Sequence, residues 1–187
     1  ALPISNLKPV KGAVYSTDLE YYYGPESLVE IGLFDMDLSS YVDFGTSTGT
    51  YVNMNLSKTS TVYSTFTITS PFNTTAEIRG ATVSWQQALP LGLGVNANFT
   101  LANGTSGDGN PVLGDSKYTY NVFGYWQVGA ISANVDYSYR SHYYAAVSES
   151  SPQSMANWYN VNAQVSYDIT HDLSLSFSGR NLTDKII

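Results

Sequence analysis

Residues 130–143 read AISANVDYSYRSHY. From Ile131, every second residue is Ile131, Ala133, Val135, Tyr137, Tyr139, Ser141 and Tyr143, while Ser132, Asn134, Asp136, Ser138, Arg140 and His142 lie between them. Side chains of a strand alternate between its two faces. This stretch therefore has one apolar, aromatic face and one face that carries all its charge. The alternation runs well beyond an ordinary strand of about 5–6 residues, so the face must meet an extended apolar phase.

The same pattern recurs along the chain. Leu93, Val95, Ala97, Phe99 and Leu101 alternate with Gly92, Gly94, Asn96, Asn98 and Thr100; Tyr159, Val161, Ala163, Val165, Tyr167 and Ile169 alternate with Trp158, Asn160, Asn162, Gln164, Ser166 and Asp168. Leu173, Leu175 and Phe177 alternate with Ser174, Ser176 and Ser178. A strand at 117–128 follows the rule except for Phe123 and Tyr125, which fall on its polar side. Strands at 13–23, 27–38 and 76–88 complete a set of eight; in the first two, Asp18, Glu20 and Asp35 blur the pattern.

Composition agrees. Of 187 residues only 12% are charged, 14% are aromatic and 16 are Tyr, against about 25% charged in an average soluble domain. Abundant Tyr, Thr, Ser, Asn and Gly favour strands and turns over helices. The net charge of −7 and eight scattered Lys and Arg exclude the basic stripe of a nucleic-acid binder. The absence of cysteine excludes disulfide scaffolds and thiolate metal sites. No basic start with an apolar run marks a signal peptide, and no run approaches the roughly 20 apolar residues of a membrane helix.

Short turns at Gly24-Pro25-Glu26, Leu89-Pro90-Leu91, Gly129-Ala130 and Thr170-His171-Asp172 alternate with long loops at 39–75, 104–116 and 144–155. This is the pattern of an antiparallel up-and-down meander. A structureless loop of the length of 39–75 is unusual, and its stretch 61–69 (TVYSTFTIT) predicts a strand extending beyond the main sheet. A strand crosses a bilayer in about 9–11 residues, aromatics gather near strand ends as interfacial girdles do, and the polar face holds Asp136, Arg140, Gln164, Asp168 and Arg180. In lipid only a closed barrel satisfies every backbone group. The expected fold is all-β, a transmembrane barrel of about eight membrane strands, either a whole small barrel or part of a larger one. The chain 1–187 is read as one barrel domain or segment. A soluble secreted β-sandwich, such as an adhesin, is the rival that also alternates.

Four stretches carry a family resemblance. Asn6-Leu7-Lys8-Pro9 resembles "NPxLKPE", and Leu19-Glu20-Tyr21-Tyr22-Tyr23 resembles "lglEyyf". Ala76-Glu77-Ile78-Arg79-Gly80-Ala81-Thr82-Val83-Ser84-Trp85 resembles "a.i.GvE.sw", with Thr82 in place of the usual Glu. Gly179-Arg180-Asn181-Leu182-Thr183-Asp184-Lys185 is similar to "g.NLtDk". In this order they resemble the C-terminal part of the barrel of a TonB-dependent outer-membrane receptor. The resemblance implies periplasmic short turns and extracellular long loops. It implies location in the bacterial outer membrane and uptake of a scarce nutrient such as a ferric siderophore, with vitamin B12 and glycans as alternatives. Outer-membrane lipid, the rest of the barrel, a plug and TonB acting through that plug would be the partners. The family's final aromatic-ended strand, the plug and the TonB box are not in the sequence, so the chain is expected to be a fragment of a receptor of about 22 strands or a reduced barrel acting as a pore or anchor.

No nucleophile elbow, P-loop, HExxH or EF-hand pattern occurs, and no cofactor is expected. Asp108-Gly109-Asn110 has the flavour of a calcium loop but no second carboxylate at loop spacing, and it reads as a plain turn. Arg140, His142, Tyr143 and Tyr144 gather near the expected extracellular rim. They are the candidate ligand contacts, Arg140 for an anionic group; the competing reading pairs Arg140 with Asp136 or a neighbouring strand. A Ser–His pair built on His142 lacks an oriented acid and an oxyanion donor, so the chain is read as non-enzymatic.

Overall fold

The computed structural model describes residues 7–148 and 151–184. Ten strands form in chain order: β1 (Lys11–Gly24), β2 (Ser27–Val52), β3 (Tyr63–Ala88), β4 (Leu93–Ser106), β5 (Tyr118–Val128), β6 (Ile131–Arg140), β7 (Tyr143–Ser148), β8 (Ser151–Met155), β9 (Trp158–Thr170) and β10 (Leu173–Gly179). Eight of them make one antiparallel sheet in the order β1-β2-β3-β4-β5-β6-β9-β10, and β7 and β8 form a separate hairpin. Each strand of the sheet pairs with its chain neighbour, apart from the β7–β8 excursion. The all-β meander is therefore observed. β1 and β10 are its two outer strands, and no ladder joins them among the described residues.

The register carries the parity of one strand onto the next. Leu19 faces Ile31, Ile31 faces Val83, Val83 faces Phe99 and Phe99 faces Tyr120. Tyr120 faces Tyr139, and Tyr139 faces Tyr159. A lower rung runs Val95–Gly124–Val135–Ala163. The result is one continuous apolar face across eight strands. Among the described residues nothing covers it: Val135 is 47% exposed, Val165 51% and Leu175 49%. A sandwich would lay a second sheet about 10 Å over that face, but among the described residues the one other sheet has two strands. The buried apolar residues among those described are Tyr41, Ala76, Ala102 and Val112. A water-soluble chain of this size buries far more, so the missing core is supplied by hydrocarbon outside the sheet.

The opposite face is bonded to itself. The Asn121 amide donates to the Asn98 carbonyl (3.0 Å), the Asn162 amide to Asp136 (3.0 Å), and the Ser166 and Ser176 hydroxyls pair at 2.8 Å. The two aromatics that break the pattern on β5 have a packing cause. Gly94 lies opposite Tyr125, and the Tyr125 ring occupies the space that a Cβ on Gly94 would need. Phe123 packs on Tyr125, with ring centroids 6.1 Å apart.

Two boundaries close the apolar band. At the short-turn end Tyr23 and Tyr21 stack, the Trp85 indole donates to the Tyr23 hydroxyl (2.8 Å), and the Trp126 indole donates to the Leu91 carbonyl (3.1 Å). At the other end Tyr120 stacks on Tyr139 at 4.7 Å, and Tyr137 stacks on Tyr159 at 6.4 Å. Asp35, which blurred the sequence pattern, belongs to the apolar parity but sits where the band ends. Its partner there is Arg79, at 3.1 Å, which also reaches Glu77.

Beyond that boundary β2 and β3 continue as a paired arm, Tyr41 facing Thr74 and Val52 facing Tyr63. A bulge between Leu38 and Tyr41 separates arm from band. At about 3.3 Å per residue, residues 39–52 extend roughly 45 Å. The region 39–75 thus holds a hairpin arm whose connection is residues 53–62, and TVYSTFTIT lies at and beyond the start of its returning strand.

Candidate functional site

The band fixes the level of the rim, and the rim is where chemistry gathers. The β4–β5 connection folds back over the polar face of the sheet. Val112 packs with Tyr41 and Ala76, flanked by Leu38 and Ile78. The Tyr41 hydroxyl accepts from the Leu113 amide at 2.9 Å. The Gly104 amide donates to Asp115 at 2.7 Å, and Gly104 has no side chain because Val112 and Asp115 fill that space. Burial pushes the Tyr41 phenol above its ordinary range; the Leu113 amide opposes this, and the Asp43 and Asp108 charges reinforce it.

Arg140 ends β6 and clamps the far side of this loop. Its Nε donates to Ser116 Oγ at 2.6 Å, and its Nη2 donates to the Gly114 carbonyl. The guanidinium lies 3.8 Å from the centroid of the Tyr143 ring, a cation–π distance. The Gly114 amide in turn donates to the Tyr144 carbonyl at 2.7 Å. Asp136 is engaged by Asn162, so Arg140 spends its fork on the loop.

Three of the four candidate residues thus converge: Arg140, Tyr143 and the Tyr144 backbone meet at the loop 113–116. His142 does not join them. The chain leaves the main sheet after Arg140. Ser141 is buried, its hydroxyl accepting from the Tyr118 amide at 3.0 Å and its own amide donating to the Tyr118 carbonyl. His142 is exposed and is held through its backbone amide to Asn157 (2.8 Å). The alternation that placed His142 with Arg140 stops two residues before it.

Nothing in the alternation marks Tyr41, Val112, Asp115 or Ser116 as rim residues. Tyr41 is separated from Val112 by 71 positions, and no periodicity links a loop residue to the face it covers. The one local signal is Gly104, a small residue on the polar parity of β4 beside a long loop.

Chemically the rim offers a guanidinium edge, a phenol-lined wall and backbone amides. This suits a polar or anionic ligand better than an apolar one. Among the described residues no group of three or more His, Cys, Asp or Glu could hold a metal.

The model of the family described as "TonB dependent receptor-like, beta-barrel" matches residues 1–182. No curated protein matches the chain. Among solved structures it is similar to the siderophore receptor PirA from Acinetobacter baumannii, with TM-score 0.69, 17% identity, and coverage of 96% of this chain and 28% of that one. It is similar to the pyoverdine outer membrane receptor FpvA from Pseudomonas aeruginosa PAO1, with TM-score 0.68, 15% identity, and coverage of 96% and 26%. The copper transporter OprC gives TM-score 0.69, 15% identity, and coverage of 96% and 26%. At these identities the likeness is one of fold. The chain spans about a quarter of the length of the structures it matches.

Proposed function

The chain belongs to the TonB-dependent receptor β-barrel family and so to the bacterial outer membrane, and from this premise we propose that it forms part of the wall of an uptake conduit. The observation that carries the reading is the pairing of an uncovered apolar face with a self-bonded polar face across eight strands. The first suits lipid and the second a wet interior. The unjoined outer strands support an arc of a larger barrel over a small closed one, because an unpaired strand edge is costly in hydrocarbon.

In this reading the conduit admits a scarce nutrient, and a ferric siderophore is the favoured class. A plug driven by TonB supplies the energy, and the chain's own residues contribute capture. The Arg140 guanidinium, held by Ser116 and Gly114 on one edge, turns its remaining N–H groups to the mouth, Tyr143 restricts its orientation, and loop 113–116 narrows the approach. No bond of the ligand is made or broken, so the protein acts as a transporter.

The test is binding and uptake of labelled ferric siderophores by cells expressing the full-length protein under iron restriction. Arg140→Ala should weaken capture by about tenfold or more, the scale of a lost charged hydrogen bond, while Asn134→Ala should leave it unchanged. Unaltered iron-restricted growth after deletion of the gene, together with no siderophore binding, would overturn the proposal.

A further inference from the structure

The arm has two long edges, and the sequence treats them differently. β1 stops where Lys11 faces Ser40, so among the described residues no strand accompanies β2 from Tyr41 to Val52 on that side. β4 stops where Ser106 faces Ala76, so β3 is likewise unaccompanied from Tyr63 to Thr75. The segment before β1 does not follow the arm outward. The Lys8 amide donates to the Asn73 side chain (2.7 Å) and the Lys8 carbonyl accepts from it (3.0 Å), which holds residue 8 at the base.

Antiparallel pairs alternate between those that exchange backbone hydrogen bonds and those that do not. The phase is fixed at both ends of the arm. At the tip the Asn53 amide donates to the Val62 carbonyl (2.7 Å), and at the base the Thr75 carbonyl turns outward to the Gly107 amide (2.7 Å). Counted from either end, Phe44–Pro71, Thr46–Thr69, Thr48–Thr67 and Thr50–Thr65 are pairs of the second kind. Their backbone groups point away from the partner strand, toward the two edges.

On β3 this outward row contains Pro71, whose missing N–H interrupts it, a usual defence of an exposed edge. On β2 the row is Phe44, Thr46, Thr48, Thr50 and Val52, without proline or charge. The Asp43 carboxylate accepts the Phe44 amide (2.8 Å). Among the described residues nothing bonds the backbone of Thr46, Thr48 or Thr50 from the outer side, and all three are exposed. A two-stranded ribbon is marginal in water, and a third strand is what secures it. The open row also specifies its complement: amides and carbonyls recurring about every 7 Å match another extended backbone.

We propose that the outer edge of β2, from Thr46 to Val52, takes up an extended segment of a protein arriving from outside the cell, as the third strand of the arm. The backbone ladder supplies the affinity. Of residues 41–75 only Asp43 and Lys58 are charged, so an uncharged segment fits best. The inference rests on the outer-membrane reading of the arm and is independent of ligand capture by Arg140.

The experiment uses the full-length protein in detergent. The probe is a fluorescein-labelled peptide with the sequence of residues 63–70, which already complements β2 on its inner side. Saturable anisotropy is expected. In the bound state amide exchange should slow by about tenfold or more at Thr46, Thr48 and Thr50, and stay unchanged at Thr65, Thr67 and Thr69. Thr48→Pro removes an outward N–H and spares the β2–β3 ladder, as Pro71 does; it should weaken peptide binding by about tenfold or more. Thr67→Pro, the same change on the facing residue, should bind as the wild type does. Exchange at Ser47 and Gly49, whose amides point inward, reports that the arm stays paired in both variants. The wild-type exchange pattern keeps the test decisive if Thr48→Pro unpairs the arm. No saturable binding would overturn the proposal. So would equal affinity in the two folded proline variants, or slow exchange at Thr46, Thr48 and Thr50 in the free protein, where another part of the receptor would then already close the edge.

Discussion

The membrane band and the β2–β3 arm are made of the same two strands, yet they obey different rules. Within the band, Ile31 faces Val83 and Leu33 faces Ala81, and a one-residue slip would turn every apolar group inward. Past the bulge at Leu38, the arm runs Thr46-Ser47-Thr48-Gly49-Thr50 against Thr65-Phe66-Thr67-Ile68-Thr69, with polar residues on both faces. The band is specified by a solvent that rejects polar side chains. The arm is specified by its backbone ladder and by how the bulge aims it. Hydrocarbon therefore dictates sequence in one region and leaves the other free for function.

The largest test of this contrast is a charge placed on each region. Val165→Arg, on the lipid face, should cost about 2–4 kcal/mol if the residue lies near the bilayer midplane, measured by denaturant titration of the protein folded into lipid vesicles. Thr48→Arg on the arm, an exposed position, should change stability by less than about 0.5 kcal/mol. Equal costs would erase the distinction. A smaller effect belongs to the rim girdle. Tyr120→Ala removes stacking on Tyr139 and Tyr137 and should cost about 1 kcal/mol beyond lost burial, in a double-mutant cycle with Tyr139→Ala.

Gly94→Ala probes the band from its polar face. A methyl there meets the Tyr125 ring, so the ring must move, at about 1 kcal/mol or more; Tyr125→Ala in the same background should recover part of that loss. The smallest global effect is expected for Tyr41→Phe. It deletes the acceptor for the Leu113 amide and should speed hydrogen exchange of residues 112–115 while leaving the unfolding midpoint of the band nearly unchanged.

The band was legible because bilayer physics writes itself into parity. Ile131, Val135 and Tyr139 against Ser132, Asp136 and Arg140 specify orientation, face and approximate length together. Asp35 and Tyr125 looked like errors in the pattern and were its boundary conditions, one marking the rim and the other filling the gap above a glycine. The rim was legible only in part. Arg140 was singled out because a cation on the polar parity is conspicuous, but its partners Ser116 and Gly114 lie on a loop whose path no alternation records. His142 was assigned by extending a rule beyond Arg140, where the chain departs for the β7–β8 hairpin. The arm was expected from TVYSTFTIT alone, on its returning strand; the outgoing strand at 39–52, with Thr and Ser on both faces, has no period to read.

Acyl chains cover the face bearing Val135, Val165 and Leu175. Spin labels at those positions and at their neighbours Asn134, Gln164 and Ser174, in the full-length protein reconstituted in vesicles, test it directly. A two-residue alternation is expected, with high collision rates for oxygen at the first three sites and for a water-soluble nickel chelate at the second three. Uniform accessibility to the chelate, or immobilised labels shielded from both reagents at the first three sites, would contradict it.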